Sequence, residues 1–354
     1  MHIGILTGGG DCPGLNAVIR AVSLALINDC GARVTGIRQG FLGLIERRVL
    51  ALDRAVVGGI LAQGGTILGT HNRCDPFHYF AEGGADVSAR LLSYVQELGL
   101  DAVVVIGGDG SMAIAERLSR LGLPVVGVPK TIDNDLPLTE RSFGFDSAVA
   151  VVTEALDRLE TTARSHGRVM IAETMGRYAG WIALEGGIAG AADVILLPEL
   201  PYDVEVVAEF CRRREAQAGH TLICIAEGAH PRDAGMVVSQ TLRDSPDPLR
   251  LGGVGAVLAQ QLQARLGSEV RSTLLGHVQR GGAPTAFDRI LATQFGSHAA
   301  QMIRQGRFGH MVALQGGALT DVPMSRVAEG GNRRVPLDHP LLVAAHGLGL
   351  CLGQ

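Results

Sequence analysis

The 354-residue chain is predicted to fold as an α/β protein of two similar lobes, each built on a mostly parallel sheet, with a cleft between them. Three observations carry that expectation. Short apolar, β-branched runs alternate with longer amphipathic or capped segments, the rhythm of strands buried between helices. The rhythm starts again in the second half, from about Phe145. The length also exceeds what one core ordinarily takes up, so about two domains are expected.

In order along the chain, strands are expected at residues 3–7, 33–37, 102–106, 125–128, 169–172, 194–197 and 222–226. The run Ala-Val-Val-Val-Ile at 102–106 is the strongest, since every residue suits a strand covered on both faces. Between the strands, helices are expected at 16–27, 85–98, 111–121, 146–162 and 204–218, with Ser111 and Asp203 suited as N-caps of two of them. The apolar stretch 181–198 carries Glu185, Asp193 and several glycines, which suits a buried helix followed by a strand and not a membrane span.

Composition excludes several function classes. The net charge is −4, and basic and acidic residues are interspersed without a basic block, so a nucleic-acid binder is not expected. Cys12, Cys30, Cys74, Cys211, Cys224 and Cys351 form no CxxC pair, which argues against a zinc knuckle or a disulfide framework and suits a reducing compartment. The N-terminal MHIGILTGGG lacks the pattern of a signal peptide, so a cytoplasmic protein starting near Met1 is expected.

Each polar, glycine-rich motif follows one of the expected strands, and in an open parallel sheet that rim is where ligands sit. Gly8-Gly9-Gly10-Asp11-Cys12-Pro13-Gly14 precedes a helix and can bring backbone N–H groups against phosphate oxygens, or can be a plain turn. Gly107-Gly108-Asp109-Gly110-Ser111 adds a carboxylate suited to Mg²⁺. Pro129-Lys130-Thr131-Ile132-Asp133-Asn134-Asp135 crowds two carboxylates beside a lysine. One of them suits a general base, while Lys130 and Thr131 suit phosphoryl oxygens. Arg168, Met175-Gly176-Arg177, Glu227, Arg271 and His277-Val278-Gln279-Arg280-Gly281-Gly282 then supply several guanidinium groups, the side chain that grips a phosphate bidentately.

With these motifs in this order, from the first strand to roughly Gly316, the chain resembles the 6-phosphofructokinases of the ATP- and pyrophosphate-dependent superfamily. TIDND, MGR and HVQRGG carry the resemblance far more specifically than a GxG loop does. It implies two Rossmann-like lobes with the active site in the cleft: residues 1–143 plus about 279–330 binding the phosphoryl donor, and 144–278 plus the C-terminal segment binding the sugar phosphate.

Asp133 is then the base that deprotonates the C1 hydroxyl of fructose 6-phosphate, with Asp135 in support. Asp109 becomes the Mg²⁺-associated acid, and Gly10, Gly108, Gly110, Ser111 and Lys130 the donor site, joined by Arg73 and Cys74. Thr131, Ile132, Met175, Gly176, Glu227, His277 and Arg280 hold the acceptor. Arg73 and Arg177 steady the transferring charge, and Arg168 and Arg271 reach in from a neighbouring subunit, so a homodimer or homotetramer is implied.

Two positions bear on the donor. In family members that use pyrophosphate an aspartate typically stands at Gly110, where it would crowd the α-phosphate of ATP. Lys130, by contrast, is what those members carry. Steric exclusion is harder to evade than an added cation, so ATP is expected. At the effector site of the bacterial enzymes Arg20 and Arg54 survive, but Leu24 and Glu160 stand where arginines are usual and Ala216-Gln217-Ala218-Gly219 replaces a lysine-rich turn. Weak control by ADP or phosphoenolpyruvate is therefore expected.

Other readings explain less. An NAD-kinase-like or lipid-kinase-like enzyme accounts for GGDG and leaves TIDND, MGR and HVQRGG without a role. A Rossmann dehydrogenase would want G-x-G-x-x-G and an acid ending the second strand, whereas that strand ends Gly36-Ile37-Arg38. A non-catalytic binding relative would be expected to have lost the base, the metal acid or the arginines first.

Overall fold

The computed structural model describes residues 1–241 and 249–354, and they divide into two compact units. The first comprises Met1–Ile132, Leu136–Ser147 and Arg280–Asn332; the second comprises Asp133–Asp135, Ala148–Gln279 and Arg333–Gln354. These bounds depart from the expected ones at 133–135, at 144–147 and at Gln279. The first departure has a clear cause, because the backbone of Arg333 donates to Asp135 O at 2.6 Å and its guanidinium to Asn134 O at 2.7 Å.

The chain opens with β1 (His2–Thr7), buried throughout, and α1 (Leu15–Cys30), which ends where Gly31 turns left-handed at φ 60°. There follow β2 (Arg33–Ile37), α2 (Phe41–Ile45), β3 (Val49–Ala51), α3 (Arg54–Gly58), α4 (Ser88–Leu98), β4 (Ala102–Gly107), α5 (Asp109–Arg120) and β5 (Val125–Pro129). Two helix starts differ from expectation by more than one residue. Ala85 is drawn into an antiparallel bridge with Tyr79, so α4 begins later. Gly108 rather than Ser111 precedes the first turn of α5, which places Ser111 inside the helix.

The long helix α6 (Phe145–His166) leads into β6 (Val169–Thr174), α7 (Trp181–Ala189), β7 (Val194–Leu196), α8 (Val204–Ala218) and β8 (Thr221–Ala226). Asp203 caps α8 as expected, accepting from Glu205 N at 2.8 Å. A ribbon of β9 (Val238–Thr241) and β10 (Leu249–Leu251) precedes α9 (Val254–Gln263) and β11 (Val270–Leu274). The chain then returns to the first unit with α10 (Ala286–Arg304), the hairpin of β12 (His310–Gln315) and β13 (Ala318–Pro323), and α11 (Met324–Glu329), before α12 (Pro340–Gly347).

The first unit holds a seven-stranded sheet in the order β13-β12-β5-β4-β1-β2-β3, parallel except at its two outermost strands. β1, β4 and β5 are fully buried, which is why β4 and β5 are unbroken apolar runs and β1 is apolar between its end residues. Each Val, Ile or Leu hidden there contributes about 1.5–3 kcal/mol relative to an exposed one. On one face α1 lies so close to α10 that a Cβ at Gly296 would stand 2.7 Å from that of Ala21.

The second unit is built on the parallel sheet β11-β6-β8-β7. Residues 351–353 extend it: Cys351 bridges Val194 in parallel, with Ile195 N donating to Cys351 O at 2.9 Å and Asp203 N to Gly353 O at 2.9 Å. All six cysteines are free thiols, and burial pushes those of Cys12, Cys74, Cys211 and Cys224 up to about 12, as suits inert core residues. Among the described residues no helix is long and apolar enough to cross a membrane.

Asp288, in the first turn of α10, is wholly buried and accepts from Ser147 N at 2.8 Å and Ser147 Oγ at 2.6 Å. Burial pushes its carboxyl up to about 6 in spite of those bonds. A folded pKa above the unfolded one means that the native state keeps the proton longer. Stability from this group is therefore greatest below about pH 4, is lost between about pH 4 and 6, and is level above. Chemical denaturation of wild type and Asp288→Asn at pH 4 and pH 7 should show the wild type losing about 3 kcal/mol relative to the variant across that interval.

Candidate active site

In the first unit β1 runs on to β2 on one side while β4, next in the same parallel series, lies on the other side of β1. This reversal makes the carboxyl ends of β1 and β4 the crevice where an open sheet binds ligands. Both glycine loops leave the sheet there, and Gly8 N donates to Ile106 O at 2.9 Å. A Cβ at Gly8 or at Gly107 would collide with the Ser111 side chain, so Ser111 packs between the two loops. What it offers a ligand is its backbone N–H. The first N–H groups of α5, at Asp109, Gly110 and Ser111, precede its first helical bond, from Met112 N to Gly108 O at 2.9 Å. A cradle of amides at a helix start favours anions, phosphate above all.

Lys130, 4 % exposed, directs Nζ onto Gly10 O, and Arg280 Nη1 donates to Asp11 O at 3.1 Å. Burial, with the Arg280 guanidinium nearby, holds the Lys130 ammonium below the usual lysine range. Arg280 thus belongs to the first unit, against the first glycine loop. Gly110 differs from its neighbours. A Cβ there would meet nothing within 4 Å, and its φ is not in the left-handed region. Within a helix a glycine costs about 1 kcal/mol relative to alanine, so neither packing nor conformation asks for it.

Asp109 stands exposed at the start of α5 and, among the described residues, makes no ion pair. A single hard carboxylate beside a phosphate cradle fits Mg²⁺, which is ordinarily held by one or two carboxylates plus substrate phosphates and water. No cluster of three or more His, Cys, Asp or Glu that could hold a metal occurs among the described residues, so an all-protein cage is not offered. Arg73 is exposed, whereas Cys74 is 6 % exposed and part of the apolar core. The Cys74 side chain therefore packs in the core, leaving its backbone to meet a donor. Ile132 is likewise wholly buried, leaving only its backbone to a ligand.

Within the second unit the loops after β6 and β8 are laced together. Glu227 N donates to Thr174 O at 2.8 Å and Gly228 N to Gly176 O at 3.1 Å. Gly176 adopts φ 126°, out of reach for most side chains. Met175 N donates to Gln279 Oε1 at 3.2 Å, so the fully buried Gln279 fastens the Met175-Gly176-Arg177 loop. Glu173, also buried, accepts from Gly253 N and Gly255 N at 2.8 Å each and holds the start of α9. Asn134 and Asp135 sit against Arg333, whose guanidinium lies 4.3 Å from the centre of the Trp181 ring. Asn134 takes a left-handed φ of 52°.

Arg168 and Arg271 are found at the other end of this sheet, before β6 and early in β11, both paired with Glu269. His277 is exposed beyond the carboxyl end of β11. Sequence reasoning missed Gln279, Glu269, Arg333 and Glu173. Only Gln279 carried a signal, since it lies inside HVQRGG.

A family model described as "Phosphofructokinase" matches residues 2–303. The chain is 49 % identical over 357 residues to "ATP-dependent 6-phosphofructokinase 2" of Clostridium perfringens, covering 98 % of this chain and 97 % of that one. It is also 49 % identical over 342 residues to "Pyrophosphate--fructose 6-phosphate 1-phosphotransferase" of Streptomyces coelicolor, covering 96 % and 97 %. Among solved structures, Pichia pastoris phosphofructokinase in the T-state superimposes with a TM-score of 0.79 at 32 % identity, over 93 % of this chain and 35 % of that one. A pyrophosphate-dependent phosphofructokinase from Marinobacter aquaeolei gives 0.81 at 22 %, over 100 % and 88 %, which speaks to the fold.

The lacing of the two loops in the second unit can be tested at Gly228, where a Cβ would overlap the Arg177 carbonyl. Gly228→Ala should lower the unfolding free energy by about 2 kcal/mol, measured by chemical denaturation, because the loop after β6 must shift to admit the methyl group.

Proposed function

The chain belongs to the phosphofructokinase family and is an enzyme that phosphorylates fructose 6-phosphate, and from that premise we propose that it uses ATP, with Asp133 as general base, to form fructose 1,6-bisphosphate. The names of similar proteins divide between the two donors at equal identity, so the argument for ATP comes from position 110. The observation that carries it is the open space around Gly110, which a helix has no reason of its own to leave. That space suits the part of a nucleotide beyond its transferred phosphates. Pyrophosphate, the second reading, rests on Lys130, the residue that pyrophosphate users of the family carry at this position.

In this reading the C1 hydroxyl of fructose 6-phosphate attacks the γ-phosphorus of ATP. The new O–P bond forms as the bond from γ-phosphorus to the β–γ bridging oxygen breaks, Asp133 takes the hydroxyl proton, and ADP leaves. The amides of Gly10, Gly108, Gly110 and Ser111 cradle the donor phosphates. Asp109 would hold Mg²⁺, which when bound neutralises charge on those phosphates. Arg73 and Arg177 steady the transferring group, and Asp135 supports the base. Thr131, the Ile132 backbone, Met175, Gly176, Glu227, His277 and Arg280 receive the sugar phosphate.

Arg168 and Arg271 stand at the amino end of β6 and β11, roughly 15–20 Å along the strands from the Met175 and Glu227 loops at about 3.3 Å per residue. That separation supports their serving the site of a neighbouring subunit, and so a homo-oligomer. A glycolytic role in the cytoplasm goes with this reading.

Formation of fructose 1,6-bisphosphate by the purified protein with Mg²⁺, comparing ATP and pyrophosphate, tests it. Activity with ATP is expected, falling by about 10²–10⁴-fold in Asp133→Asn. Gly110→Asp should cut kcat/KM for ATP by about 100-fold, roughly 3 kcal/mol, and spare any use of pyrophosphate. Wild-type turnover faster with pyrophosphate than with ATP would overturn the donor assignment.

A further inference from the structure

Three successive carbonyl oxygens of the first glycine loop each accept a hydrogen bond from a side chain distant in sequence. Thr70 Oγ1 donates to Gly9 O at 2.5 Å, Lys130 Nζ to Gly10 O at 2.5 Å, and Arg280 Nη1 to Asp11 O at 3.1 Å. In a planar trans peptide the C=O of one residue and the N–H of the next point to opposite sides. Clamping the carbonyls of Gly9, Gly10 and Asp11 therefore turns the N–H groups of Gly10, Asp11 and Cys12 the other way. Among the described residues, none of these three amides donates a hydrogen bond. The glycines make room for the clamps: a Cβ on Gly9 would stand 3.3 Å from Lys130 Nζ, and one on Gly10 3.0 Å from Arg280 Nη1.

We propose that Thr70, Lys130 and Arg280 are positioning residues that aim the amides of this loop at a donor phosphate, and that Lys130, so engaged, serves either donor alike and does not select pyrophosphate. Lys130 is buried and spends its ammonium on a backbone carbonyl, which is a support for the cradle and not a contact kept for one ligand. Thr70 is itself held in place, since Thr7 Oγ1 donates to the neighbouring Gly69 O at 2.8 Å and Gln39 N to Leu68 O at 2.9 Å. The inference rests on the loop being the donor site and goes beyond the choice of donor.

Titration calorimetry of ATP and of pyrophosphate, each with Mg²⁺ and without sugar phosphate, on wild type, Thr70→Val, Thr70→Ser and Lys130→Met tests it. Loss of one neutral hydrogen bond should weaken both ligands about fivefold to tenfold in Thr70→Val, with Thr70→Ser within about twofold of wild type and the KM for fructose 6-phosphate unmoved in both. Lys130→Met should weaken ATP and pyrophosphate by the same factor. Thr70→Val binding like wild type, or Lys130→Met losing pyrophosphate more than about tenfold while keeping ATP, would overturn the proposal. Should Lys130→Met fail to fold, the two Thr70 variants decide. A wild type that binds both donors yet phosphorylates no sugar sinks the proposed function, while the variant ratios still uphold the positioning role. One that binds neither sinks both.

Discussion

The parallel pairing of β1 with β4 is the constraint on which the first unit's chemistry depends. Leu6 lies opposite Val105 and Thr7 opposite Ile106, so the two strands end level and their glycine loops leave the same edge side by side. Shift that register by one residue and every side chain of β1 changes face, bringing isoleucine to the spot where even a Cβ on Gly4 would stand 3.0 Å from the Ile37 and Leu100 side chains. The apolar core thus fixes, through backbone hydrogen bonds, where unpaired amides are offered. Side chains enter afterwards: Ser111 fills the gap between the loops, and the buried Lys130 and the Arg280 guanidinium meet the first loop from outside.

The second unit solves its problem by tying loops to one another. The strands β6 and β8 run level from Val169↔Thr221 to Thr174↔Ala226, and the loops beyond them continue the contact as far as Gly228. Buried polar groups then carry the load that apolar packing carries elsewhere. Gln279, Glu173 and Arg333 each make hydrogen bonds to backbone groups, which orders the loops they reach.

The central strands were legible because a strand covered on both faces must be apolar throughout, as β4 and β5 are. Strand β11 escaped the sequence reading for the opposite reason: four of its five residues are exposed, and Arg-Ser-Thr-Leu announces no burial. The β12–β13 hairpin did carry a local signal, Gly316-Gly317, both left-handed at φ 57° and 75°, between two runs of strand-forming residues. Site residues inside motifs were legible by residue type. Thr70, Glu269 and Arg333 were not, since their partners at Gly9, Arg168 and Asn134 lie far away in sequence and meet them only once the fold has formed. Helix α5 shows a smaller failure. Ser111 has the chemistry of a cap, but the helix takes up Asp109 and Gly110 because their amides need no partner where a ligand can supply one.

Both units are assembled from separate stretches of chain. The seven-stranded sheet needs β12 and β13, and the four-stranded sheet is extended by residues 351–353 on Val194. On the ribosome, then, β1, β2 and β4 are made long before the strand that must cover β5. At about 5–20 residues per second the wait lasts on the order of ten seconds or more. During that time the edge of β5 and the apolar faces of α1 and β7 have no partner to shield them. The order of synthesis, not the stability of the finished fold, accordingly sets how long those strand edges stay uncovered.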